Sequence, residues 1–160
     1  MRSQAVFTGV MGAMVVWALS ACATGGGSLV VKDTDLPPYT IVDGIAIKNS
    51  LTGKKGDPAA GRKVAAITNK GNCLACHELP IPEEQFHGKV GPNLTGVANR
   101  MTEGQIRMRV VNPKRTNPAT IMPSFYKVDG LANVRKGFEG KPMLSGEEIE
   151  DLVAYLSSLK

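Results

Sequence analysis

Cys73-Leu74-Ala75-Cys76-His77 concentrates the reactive side chains of this 160-residue chain. Two thiols one turn apart, followed at once by an imidazole, form the C-x-x-C-H sequence used to attach a c-type haem. The chemistry requires that spacing. The thiols add to two vinyl groups along one porphyrin edge, and the adjacent His sets its Nε2 on the iron from that side. Rival chemistries lack parts. A structural zinc site needs four ligands, yet the only other His is His87 and there is no second cysteine pair. A thioredoxin-like redox pair belongs in a βαβ pattern, and none flanks Cys73. No Ser-His-Asp set, paired carboxylates or phosphate loop stands out elsewhere.

An electron carrier needs a second axial ligand, and Met/His ligation raises the potential. The candidates are Met101, Met108, Met122, Met143 and His87. Any Met also serves as core filler. Met101 and Met108 fall in and just before an expected helix, where packing explains them. Met122, in Ile121-Met122-Pro123-Ser124-Phe125, is favoured because a proline stiffens a loop behind its sulfur. Met143, in Lys141-Pro142-Met143-Leu144, is its rival for the same reason, and His87 stays in contention. Gly91-Pro92-Asn93-Leu94 follows the thiol motif closely. An iron-bound His commonly donates its other ring nitrogen to a carbonyl, and Pro92 would hold such a carbonyl rigidly.

These residues need elements to position them. Asp57-Pro58 opens a helix in the N-cap and first-position manner, running through Val64, Ala65 and Ile67 toward Lys70-Gly71, where the Gly is expected to end it. Thr102 with Gln105 is a capping-box spacing, with Ile106 and Val110 on one face and Pro113 as the stop. Ser145 with Glu148 repeats the box before Ile149, Leu152, Val153 and Leu156, an amphipathic stripe. Loops of about 24 and about 32 residues separate the three helices, long for a compact domain unless something central organises them.

Upstream, Met1-Arg2 and an apolar run of about 15 residues ending at Leu19 are too short to span a bilayer and read as a signal segment, 1–21. Leu19-Ser20-Ala21-Cys22 looks like a lipobox, which implies a lipid on Cys22. Residues 22–28 are then a flexible tether, 29–56 an extended arm with turns around Pro37-Pro38 and Val42-Asp43-Gly44, and 57–160 the main domain. Export accounts for the three cysteines: one lipidated, two carrying thioethers. Charge totals +5, with 42% apolar residues. That suits one modest core and an acidic partner, and it falls short of a nucleic-acid footprint.

Gly56-Asp57-Pro58-Ala59-Ala60-Gly61-Arg62, Lys70-Gly71-Asn72-Cys73 through His77, Arg109-Val110-Val111-Asn112-Pro113, Met122-Pro123-Ser124-Phe125-Tyr126, Phe138-Glu139-Gly140-Lys141-Pro142 and Glu148 to Leu156 together resemble the SoxX family. SoxX proteins are monohaem cytochromes of the sulfur-oxidising SoxAX complex. The resemblance implies a mostly α, cytochrome c-like domain with an extended N-terminal arm along the partner. It implies one covalent haem c, with His77 and Met122 on the iron and Cys73 and Cys76 as its thioethers. It further implies a SoxA-type partner bearing the catalytic site of a thiosulfate-dependent S-thiosulfotransferase. A SoxYZ carrier would accept the sulfur and a small cytochrome c the electrons. The chain itself would be an electron carrier in the periplasm, and the lipobox departs from the soluble form expected of the family. A stand-alone carrier tethered at the membrane and serving a terminal oxidase is the other expectation.

Overall fold

The structure is a computed structural model that describes residues 27–32 and 36–160. The signal segment, Cys22 and most of the tether lie outside the described residues. Three α-helices carry the fold: α1 (Pro58–Ala66), α2 (Glu103–Val111) and α3 (Gly146–Ser158), with a two-stranded antiparallel sheet of β1 (Ser28–Val31) and β2 (Tyr39–Val42). Short 3-10 turns at Cys73–Ala75, Val97–Asn99 and Pro113–Arg115 punctuate the loops. Among the described residues no helix is long and apolar enough to cross a membrane.

Each helix begins where its local chemistry says it should. The Asp57 carboxylate accepts from the Ala59 N–H at 2.8 Å, with Pro58 at the first position. Thr102 with Gln105 and Ser145 with Glu148 form complete capping boxes, each satisfying otherwise orphaned N–H groups and contributing about 1 kcal/mol. Helix α1 ends earlier than its sequence suggests. The expected stop at Gly71 is wrong by five residues: Ile67 is already extended (φ −67°, ψ 118°) and caps the helix at Ala66. Backbone bonds from Lys70 and Asn72 to the Ile67 carbonyl then build a separate turn. Asn72, at φ 45°, delivers the chain into the thiol motif.

The helices α1 and α3 cross backbone to backbone at Gly61, where a Cβ would fall on the Asp151 carbonyl. Val64, Ala65, Ile149, Leu152, Val153 and Leu156 fill that crossing, and Ile106, Met108, Val110 and Val111 of α2 complete the core. The arm is part of this core. Tyr39, Ile41 and Ile47 are buried within it, and the Ile47 N–H donates to the Gly104 carbonyl at 2.9 Å.

A buried ion pair fixes the arm to both helices. Arg107 and Glu150 are 1% and 3% exposed. Nε and Nη2 of Arg107 donate to Glu150 at 2.9 and 2.8 Å, and Nη2 also reaches Glu103 at 2.6 Å. Nη1 donates to the carbonyls of Ile47 at 2.8 Å and Lys48 at 3.4 Å, while the Leu51 N–H donates to Glu150. Burial works against the Arg107 charge, but the two carboxylates hold its pKa above the ordinary value. With its donors satisfied, the guanidinium is tolerable inside.

Candidate cofactor-attachment site

The 3-10 turn Cys73–Ala75 places Cys73 and Cys76 as half-buried free thiols on either side of buried Leu74. N–H groups of Cys76 and His77 both donate to the Cys73 carbonyl, at 3.1 and 2.9 Å. Desolvation pushes the Cys73 thiol up to about 12, with Cys76 adding to the rise.

Around this turn the following loop folds back tightly. Gly88 N–H donates to the Leu74 carbonyl at 2.7 Å, Gly91 N–H to Cys76 at 2.8 Å and Leu94 N–H to Glu78 at 2.9 Å. The return brings Pro92 to His77, whose Nδ1 lies 2.7 Å from the Pro92 carbonyl oxygen. A carbonyl only accepts, so Nδ1 is the donor of this bond, and in the neutral ring Nε2 is then the nitrogen left for a metal. Gly91 lies against the same imidazole, where a Cβ would collide with the ring. Asn93 and Arg100 secure the loop: Asn93 Nδ2 donates to Glu78, and Arg100 donates to the carbonyls of Asn93 and Thr95.

The other candidates divide clearly. Met122 is half-buried against the core, whereas Met143 is 37% exposed. Met108 is fully buried in α2 and Met101 is half-buried just before it, both as packing. His87 accepts from the Leu79 N–H through Nδ1 at 3.3 Å, which ties the ring to its own loop, and its buried Nε2 has no partner.

Short bonds hold Met122 in its loop. Its N–H donates to Thr120 Oγ1 at 3.2 Å, Lys114 Nζ donates to the Thr120 carbonyl at 2.7 Å, and Ser124 Oγ donates to Asn112 Oδ1 at 3.1 Å. Phe125 and Tyr126 N–H groups then run onto the carbonyls of Val110 and Val111 at the end of α2. Lys114, Ser124 and Asn112 were not legible as support from the sequence; the nearest signal was polar residues set beside Pro113 and Pro123.

The residues present fit a covalent haem. Two free thiols and an imidazole share one turn, and a soft methionine sulfur is available on a separate loop. A bare metal ion fits poorly: among the described residues no three His, Cys, Asp or Glu converge on one point.

Comparison with known proteins identifies the family of this domain. The profile of the cytochrome c family matches residues 59–160. A chain in the crystal structure of SoxXA from P. pantotrophus is 42% identical, with a TM-score of 0.69 over 73% of this chain and 91% of that one. The c-type cytochrome SorU from Sinorhizobium meliloti is 24% identical over 64% of this chain and 88% of its own, at a TM-score of 0.42. No curated protein sequence matches.

Proposed function

The chain belongs to the cytochrome c family, in its SoxX branch, and from that premise we propose that it is the electron-transfer subunit of a thiosulfate-oxidising enzyme. In this reading Cys73 and Cys76 would hold one haem c covalently, and His77 Nε2 and Met122 would be the residues that hold its iron. Bound there, the group supplies reversible one-electron chemistry. The protein's part is to keep that chemistry simple. Pro92 fixes the His77 tautomer and ring orientation, which makes the imidazole a stronger donor. Gly91 leaves room for the ring to sit flat against backbone. Met122 would supply the second protein ligand to the iron, the arrangement of an electron carrier.

The observation that carries the electron-carrier reading is the 2.7 Å bond from His77 Nδ1 to the Pro92 carbonyl beside two free thiols. The sulfur-oxidation assignment is supported by the 42% identity to a chain of SoxXA. The partner is a SoxA-type cytochrome bearing the catalytic site. There a carrier-protein thiol on SoxYZ and the outer sulfur of thiosulfate form an S–S bond, the thiol proton leaves, and two electrons depart one at a time. This chain passes them to a small cytochrome c. It works in the periplasm, held at a membrane surface by a lipid on Cys22, a placement that needs more than one acyl chain to be stable.

Oxidised holoprotein mixed with a SoxA-type cytochrome, SoxYZ and thiosulfate is expected to become reduced and then reoxidised by small cytochrome c. Omitting SoxYZ or thiosulfate should stop the reduction. Reduction by membrane quinol-oxidising fractions alone, with no response to thiosulfate, would replace this reading with that of a stand-alone carrier.

A further inference from the structure

Beyond the Thr120 hydroxyl at the Met122 N–H and the backbone bonds of Phe125 and Tyr126 to α2, two side-chain bonds flank the Met122 loop, and the two are unequal. Upstream, Lys114 reaches the Thr120 carbonyl from an exposed position. Exposed contacts by long charged side chains hold little. Downstream, Ser124 donates to Asn112 where both residues are nearly buried, 9% and 8% exposed. Between the pins Ile121 is 80% exposed and Pro123 is exposed, leaving Met122 as the residue of the stretch packed against the core. Pro123 has no N–H to give, so the Ser124 hydroxyl is the first anchor after the sulfur. Asn112 is itself fixed, since its N–H closes α2 on the Met108 carbonyl at 3.0 Å.

We infer that the buried Ser124–Asn112 hydrogen bond is the device that holds the Met122 sulfur in its ligand position, making both positioning residues. The inference rests on the reading of Met122 as axial ligand. A sulfur on a loose loop gives way to a competing ligand, whereas one on a pinned loop resists it. Removing the Ser124 hydroxyl also strands the Asn112 carbonyl oxygen. Losses of this kind amount to about a factor of ten in an equilibrium.

The test is an imidazole titration of the oxidised holoprotein, followed through the near-infrared Met–iron band. In Ser124→Ala the apparent imidazole affinity should rise about tenfold, and Asn112→Leu should act in the same direction. Ser124→Thr keeps the hydroxyl and should titrate like the native protein. A Ser124→Ala protein that melts at a lower temperature but binds imidazole with native affinity would overturn the inference, because Ser124 would then serve stability alone. Met122→Ala separates the two levels. It should lack the band before any imidazole is added, and a persisting band would remove Met122 itself from the iron.

Discussion

The His77 loop and the Met122 loop offer candidate ligands to one cofactor and are built on opposite plans. His77 is secured by its own neighbours: Gly88, Gly91 and Leu94 bond back to Leu74, Cys76 and Glu78, and Pro92 meets the ring. Met122 has little local support beyond Thr120 and depends on the end of α2, a helix that is in turn fixed through Arg107 to α3 and the arm. The placement of one candidate ligand is therefore a property of a short stretch of sequence. The other is a property of the assembled fold, and it should fail first whenever the fold is weakened.

Glu150→Ala is the strongest way to force the two apart. It strands the Arg107 charge in the core, and breaking a buried pair from one side costs about 3–5 kcal/mol. In guanidinium titrations of the holoprotein the midpoint should fall accordingly. The Met–iron band should vanish at lower denaturant than the His-dependent absorption. Coincident loss of both signals would show that the two loops do not differ in the manner described. Gly91→Ala attacks the opposite side. Its methyl group would press on the His77 ring, and overpacking of this kind costs about 1–3 kcal/mol. Here the spectrum of the His ligand should change while imidazole competition at the Met position stays native.

A smaller effect, acting on the shared scaffold, comes from acid. Burial raises the Glu148 pKa, but hydrogen bonds from Lys70 and Ser145 outweigh it and leave the carboxyl below its ordinary 4.5. The unfolded state therefore binds the proton more readily. This contribution is present above the unfolded value and lost as pH falls through the folded one. Lys70→Met should flatten the acid limb of a stability–pH profile by less than about 1 kcal/mol. An unchanged acid limb would mean that Lys70 contributes nothing there.

What could be read from the sequence follows the same division. Asp57-Pro58, the two capping boxes and the turn of thiols are each specified within a few residues, and the structure has them where their residues say. Pro92 was readable because the need for a carbonyl near His77 is chemical and the loop is short. The end of α1 was misjudged: Gly71 suggested the stop, but Ile67 turns extended and the chain builds a second turn before Asn72. The ion pair joins residues 43 positions apart, and only the charged Arg107 and Glu150 beside apolar Ile106 and Ile149 hinted at it. Burial of Tyr39 and Ile41 shows only as an alternation of period two, which does not say what covers them.

The Arg107 guanidinium also imposes an order of events on the newborn polypeptide. The carbonyls of Ile47 and Lys48 leave the ribosome about a hundred residues ahead of the carboxylate that neutralises their shared donor. The arm is therefore made well before α3 can complete its anchor, and in that interval it is open to proteases and to strand exchange with neighbouring chains.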